Sequence, residues 1–473
     1  MKARLQQALK RIPMPHTLVI VEALVLLVLL LSWVLPSGAF TRVPLNGRMV
    51  PDPATFHVLL PKVRLSPAEL MLAPLKGFLD GSLLIAFLLV IGGAFNVLQD
   101  TGAIESGIKR LTRAIATRPF LEWLLIPALM TVFSLAGSVF GMAEEIIPFV
   151  IIFIPLARSM GYDSIVGIAI PFLGAAAGFA AAFFNPFTVG IAQKMAGLPL
   201  YSGLGYRVVA WVLGTAVVIA YVMVYAARVK KDPKRSPVYE LDQAREQAIK
   251  QSAETEPANP RHGPVLALFG LAMAVLVWGI LRKGWEIDAI AALFMAMGVI
   301  LGLVAGLSPN RIAQSFVAGA KDMVGVVFIV ACARALLVIA NEGQIMDTLL
   351  YYAKGAMSVL PRPVIAQTMF LIQSGINFFI HSGTAQAALT MPIMAPLADL
   401  VGVTRQTAVF AFQLCEFVNP ILPTSAVTMG VLGASRIPWE TWAKWFLPLM
   451  GILVLLSFVL LIPPVLMFRW GPF

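Results

Sequence analysis

Two adjacent glutamates, Glu144 and Glu145, stand inside the stretch AGSVFGMAEEIIPFVIIFIPLA (136–157), whose other residues are apolar or small. A carboxylate in a membrane-like setting costs about 3 kcal/mol. Its presence asks for a compensating role: holding a cation, carrying a proton, or capping a helix end. The pair follows a small-residue turn, where the positive end of the next helix dipole favours a carboxylate by about 1 kcal/mol. Adjacent helical residues diverge by about 100°, so one glutamate is expected to face a central site while the other pairs within the protein. Glu416, three residues before Asn419, is a third carboxylate in apolar surroundings, and Arg334 is a lone arginine in an apolar run. Three carboxylates against one guanidinium favour a cationic ligand such as arginine, ornithine or lysine. A proton on one glutamate would admit a neutral or anionic one.

Four short motifs surround these charges. AGSVFG (136–141) holds Ser138; HSGTAQ (381–386) holds Ser382, Gly383, Thr384 and Gln386, with Asn377 just ahead. FFNPFTVG (183–190) holds Asn185, Pro186 and Thr188; NPILPTSAVTMG (419–430) holds Asn419, Thr424 and Ser425. Proline removes a helix hydrogen bond, so Pro186, and Pro420 with Pro423, predict unwound stretches inside two helices. Irregular backbone at membrane depth survives only where protein buries it or a cavity adjoins it. Unwound carbonyls suit a cation, and half-helix N-termini suit a carboxylate. The plainer alternatives are surface loops for the two turns and simple kinks for the prolines. Asparagines and hydroxyls gathered at both breaks favour a binding site for substrate and coupling ion, Na+ near Asn185 and Asn419 or a proton. No other cofactor is expected.

Enzymatic chemistry finds little support. No H-E-x-x-H, G-x-S-x-G or Walker-type glycine loop occurs, and His381 beside Ser382 is only a dipeptide. Two cysteines, Cys332 and Cys415, both in apolar segments, exclude a disulfide or zinc framework.

The elements that position these residues follow from composition. Of 473 residues, 59% are hydrophobic and 12% charged, about half the charged fraction of soluble domains. Apolar runs near the ~20 residues a bilayer core requires recur at 17–36, 82–99, 163–183, 205–227, 264–281, 287–306, 323–340 and 445–468. The chain is an all-α polytopic membrane protein by this reading. Its first apolar run is too long for a signal peptide and is read as a transmembrane helix. The formal charge of +11 is spread over short flanks, which gives nucleic-acid binding no footing.

A charged, proline-bearing linker at 229–263 divides the chain, and one short helix is expected within it. On its two sides VLQDTGAIESG (97–107) matches VIANEGQIMDT (338–348), and PLARSMGYD (155–163) matches PLADLVGVT (396–404), at one common offset. The first repeat is expected over 1–228, with a hairpin about 120–158 and a broken helix about 163–195. The second is expected over 264–473, with one extra helix, a hairpin about 363–399 and a broken helix about 405–435. Lys2, Arg4, Lys10 and Arg11 put the N-terminus inside, and Lys109, Arg110, Arg113 and Arg118 put a second basic loop there. The hairpins then re-enter from opposite faces, which makes the repeats inverted.

At the level of whole motifs, PSGAFTR, GMAEEIIPF, NPFTVGIAQKMAGLPLYSG, SGTAQAALTMPIMAPLADLVGVTRQTAVFAFQ and LPTSAVTMGVL closely resemble the YfcC-type family. That family is the C4-dicarboxylate anaerobic carrier-like, arginine/ornithine antiporter-like group of the ion transporter superfamily. The resemblance covers nearly the whole chain. It implies a transport domain that moves, elevator-fashion, against a homodimeric scaffold in the bacterial inner membrane. Cys415-Glu416 stands where members commonly carry glycine–aspartate, and His381 where they commonly carry serine. The expectation is a secondary transporter of small amino-acid-like solutes in a lipid bilayer. A C4-dicarboxylate carrier is the alternative, and a passive channel is the rival of another class.

Overall fold

The computed structural model describes residues 17–45, 48–52, 54–104, 106–107, 119–253, 261–283, 285–357, 361–467 and 470–471. The basic N-terminal residues Lys2 to Arg11 and the basic loop residues Lys109 to Arg118 lie outside that set.

Helix α1 (Thr17–Val34) leads to four short strands, β1 (Gly38–Ala39), β2 (Arg42–Leu45), β3 (Arg48–Pro51) and β4 (His57–Val58). β1 pairs antiparallel with β4, and β2 with β3. After them come α2 (Glu69–Asp80) and α3 (Ser82–Asp100). The first hairpin is α4 (Pro119–Phe140) and α5 (Ile147–Ser159); the first broken helix is α6 (Ser164–Ala180), a turn over Pro186–Gly190, and α7 (Ile191–Met195). Then follow α8 (Leu204–Lys231), the linker helix α9 (Tyr239–Ala253), α10 (His262–Trp278), α11 (Ile287–Ala305), α12 (Pro309–Asp322), α13 (Val324–Glu342) and α14 (Met346–Met357). The second hairpin is α15 (Arg362–Asn377) and α16 (Gly383–Leu400). The second broken helix is α17 (Arg405–Leu414), a tight turn over Cys415–Ile421, and α18 (Ala426–Ser435); α19 (Trp439–Leu460) and α20 (Pro463–Leu466) close the chain.

Among the described residues six helices are long and apolar enough to cross a bilayer: Ser82–Asp100, Leu204–Lys231, Ile287–Ala305, Val324–Glu342, Arg405–Ser435 and Trp439–Leu466. The apolar runs at 17–36, 163–183 and 264–281 also form helices, but shorter ones. Helices α4 and α5 lie within 119–159, α6 and α7 within 164–195, α15 and α16 within 362–400, and α17 and α18 within 405–435. The strands and the short helices α2, α12 and α14 contain no apolar run of bilayer length, so composition gave no sign of them.

Most helix contacts fall into two sets, and α13 of the first also packs on α18 of the second. In the first, α1 and α2 lie on α13, while α11 and α12 lie on α3, so each half of the chain braces the other. Small residues permit the close crossings. A Cβ on Gly77 would meet the Ala331 carbonyl and lie 2.7 Å from the Ala335 nitrogen, and one on Gly319 would meet the Gly92 carbonyl. In the second set α4 and α5 pack on α6, and α15 and α16 on α17; α5 reaches across to α18 and α16 to α7. Helices α8 and α19 back this bundle, α8 against α6 and α19 against the Cys415–Ile421 turn.

The linker does not hang free. Its helix runs over 239–253, and Val238 and Asp242 are buried. Asp163 caps α6 by accepting from the Val166 amide at 3.0 Å, and it also accepts from Ser236 and Tyr225.

Candidate binding site

The first hairpin turns where Gly141 adopts φ +72°, a conformation that glycine takes without steric cost. A Cβ there would also stand 2.8 Å from Asn185 Oδ1. The limb then restarts with a single tight turn over Glu144–Ile146. Glu145 Oε2 accepts from the Ala143 amide at 2.9 Å, satisfying a donor that the start of a helical limb leaves free. Glu144 lies beside it on the same cavity wall. Glu145 thus bonds within the protein, and both glutamates line the cavity.

At the first break Asn185 Oδ1 accepts from the Phe187 amide at 2.9 Å and the Thr188 amide at 3.2 Å, so the restarting helix is capped by its own asparagine. Ser138 Oγ accepts from the Phe183 amide at 3.2 Å and ties the hairpin to this break.

The second hairpin is zipped by buried amides. Asn377 Nδ2 donates to Gln386 Oε1 at 3.1 Å, and Gln386 Nε2 donates to the Gln373 carbonyl and to Gln373 Oε1 at 2.9 and 2.8 Å. At its tip Ser382 Oγ accepts from the Ala385 amide at 3.3 Å and caps α16. Thr384 Oγ1 donates to the Phe187 carbonyl at 2.8 Å, joining this tip to the first break. His381 Nε2 and Thr424 Oγ1 share a hydrogen bond of 2.6 Å, which joins the tip to the second break. There Glu416 Oε2 accepts from Asn419 Nδ2 at 2.9 Å, the Asn419 carbonyl accepts from Thr428 Oγ1 at 3.0 Å, and Ser425 caps α18.

Both tips and both breaks enclose one cavity of about 830 Å³. Of the residues singled out from sequence, Glu144, Glu145, Pro186, Thr188, Ser382, Gly383, Thr384, Glu416, Asn419, Thr424 and Ser425 line it. Ser138, Asn185, Asn377 and Gln386 stand behind it, their polar atoms committed mainly to holding the tips and breaks in shape. Six buried side-chain oxygens have no hydrogen-bond partner among the described residues: Thr188 Oγ1, Asn377 Oδ1, Glu416 Oε1 and Asn419 Oδ1 at or beside the cavity, and Gln367 Oε1 and Gln413 Oε1. Such atoms are uncommon in native interiors and call for a ligand or water. No group of three or more His, Cys, Asp or Glu that could hold a metal occurs among the described residues.

Of the other walls, the sequence marked Arg334 by its charge in an apolar run and gave no signal for the rest. Arg334 reaches the cavity from α13 and pairs with Asp80 at 3.6 Å. Glu286 and Trp285, just before α11, close another side, and Phe140, Phe179, Phe187 and Phe379 supply apolar surface.

The C4-dicarboxylate anaerobic carrier family model matches residues 14–466. An Escherichia coli protein, named provisionally as the basic amino acid antiporter YfcC, is 38% identical over 97% of both chains. A Haemophilus influenzae protein whose name assigns no function is 29% identical, over 95% of this chain and 96% of its own. Among solved structures, the YdaH transporter of Alcanivorax borkumensis aligns at 17% identity and a TM-score of 0.43, covering 97% of this chain and 100% of its own. Neisseria gonorrhoeae MtrF, titled as illuminating a class of antimetabolite efflux pumps, aligns at 18% and 0.40, over 96% of each chain.

Proposed function

Because the chain belongs to the C4-dicarboxylate anaerobic carrier family, multi-pass membrane proteins of secondary transport, we propose that its solute is a basic amino acid: arginine, ornithine or lysine. The observation that carries this reading is the charge of the cavity: Glu144, Glu145, Glu286 and Glu416 against Arg334. A basic amino acid also carries a carboxylate, for which the capped helix starts at Ser382 and Ser425 offer backbone amides and a favourable dipole end. The naming of the Escherichia coli relative agrees with this choice.

In this reading the two halves are inverted repeats, 1–228 and 264–473, and the linker 229–263 lies inside the cell. The hairpins and broken helices move as a transport domain against a homodimeric scaffold in the inner membrane. The reciprocal packing of α1 and α2 on α13, and of α11 and α12 on α3, supports a two-fold scaffold. The unpartnered oxygens of Thr188, Glu416 and Asn419 would serve Na+ or a proton as coupling ion. A C4-dicarboxylate is the second reading, favoured by Arg334 and the two helix starts on the cavity.

Uptake into proteoliposomes, measured for a panel of amino acids and dicarboxylates under imposed Na+ and proton gradients, tests the proposal. Labelled arginine, ornithine or lysine is expected to accumulate and to compete with the other two. Succinate uptake with no response to any basic amino acid would reverse the assignment.

A further inference from the structure

Arg436 ends the second broken helix with φ +51°, in the left-handed region. Glycine is the ordinary residue at such a cap, because a Cβ is crowded there. A non-glycine residue held in that conformation points to a function for its side chain. Here Arg436 Nη2 donates to Asp322 Oδ2, on the last residue of α12 in the scaffold set. One residue earlier, the Ser435 carbonyl accepts from Arg245 Nη2 of the linker helix α9. Arg245 Nη1 also donates to Ser164 Oγ at 2.8 Å. Asp242 accepts from the Ser164 amide at 2.8 Å and from its hydroxyl, while Arg158 donates to the Asp242 carbonyl at 2.7 Å. A continuous chain of charge-assisted bonds thus runs from a scaffold helix, through the end of the second broken helix and the linker, to the start of the first.

The two ends of this chain differ in permanence. Asp242 is only 8% exposed, so its bonds are expected to persist. The side chains of Arg436 and Asp322 are 65% and 44% exposed. A pair so exposed is weak enough to break and re-form within a working cycle.

We infer that this corner is a conformational latch: Arg436 and Asp322 tie the hairpin-and-broken-helix bundle to the scaffold, and Asp242 and Arg245 are positioning residues that present Arg436 to its partner. The inference rests on the proposal that the bundle moves. It gives the linker a place inside the bundle, not the role of a slack tether between halves. Coupling of this kind needs an element with two arrangements, and the ion pair, made or broken, is that element.

The test uses the full-length protein in lipid, with spin labels at the exposed positions Val317 on α12 and Gln243 on α9, and measures the distance distribution between them. Arg436→Gly keeps the left-handed cap and loses the guanidinium. It is expected to shift the balance away from the wild-type distance by up to about fivefold. Arg245→Gln should move the distribution in the same direction with the ion-pair partners intact. The double exchange Asp322→Arg with Arg436→Asp should restore it. If adding arginine shifts the wild-type distribution but Arg436→Gly behaves as wild type, the latch fails and the moving bundle stands. A charge exchange that restores nothing also overturns the latch. One distance that no solute and no variant changes overturns both.

Discussion

Proteoliposomes containing Gly383→Leu are expected to show solute uptake at background, with the protein inserted and folded in normal amount. Gly383 begins α16 at the second hairpin tip, where the two tips and breaks meet. A Cβ at this position would lie 2.6 Å from Thr188 Cγ2 and 3.3 Å from Glu416 Oε1. A leucine must therefore displace groups from both halves of the chain, closing the cavity between them. Overpacking of this kind typically costs 1–3 kcal/mol, about a tenfold to hundredfold effect on whatever depends on that geometry. Gly383→Ala, with one atom to accommodate, should fall between wild type and the leucine variant. Thermal stability in detergent, measured beside uptake, separates a blocked site from a collapsed fold. Wild-type uptake by Gly383→Leu would remove this cavity from the transport route.

Much of that geometry was legible in the chain itself. Gly141, Pro186, Pro420 and Pro423 interrupt apolar runs where a helix cannot continue, so the hairpins and breaks emerge from local chemistry alone. The carboxylates stood out because apolar surroundings make them costly. Their exact partners did not: Ser138, Asn185, Asn377 and Gln386 stand behind the cavity and bond the backbone and one another, with Asn185 Nδ2 and Asn377 Oδ1 left unpartnered. An asparagine before a restarting helix serves as a cap as readily as a ligand, and only tertiary placement decides. Nothing in sequence spacing joins Phe179 to Glu286 or Arg334 to Asp80; those neighbours arise from packing between distant helices. The strand pair Arg42–Leu45 and Arg48–Pro51 had a local signal, Asn46-Gly47, the strongest two-residue hairpin cue.

Charge at the site should be separable from shape. Glu144→Gln, Glu145→Gln and Glu416→Gln, made singly, keep an acceptor oxygen. The Ala143 amide that Glu145 caps and the Asn419 amide that Glu416 holds can therefore remain bonded. What is lost is the negative charge. A hydrogen bond to a charged group contributes about 1.5–3 kcal/mol, so arginine binding is expected to weaken roughly tenfold to hundredfold in at least one variant. Succinate binding should not weaken in any of them, because removing a carboxylate relieves repulsion toward an anion. Titration calorimetry of each variant with both solutes measures the two effects. Unchanged arginine binding in all three, or tight succinate binding by wild type, would reject a cationic solute.

A carrier that exchanges a basic amino acid through this cavity exposes one loaded site to each side in turn. Counterflow tests it most directly. Proteoliposomes loaded with labelled arginine are diluted into buffer with or without unlabelled arginine, and efflux of label is followed. A carrier returns faster when its site is refilled, so external arginine, ornithine or lysine is expected to accelerate efflux while external succinate leaves it unchanged. Efflux indifferent to every external solute would mean a fixed pore and would contradict the account.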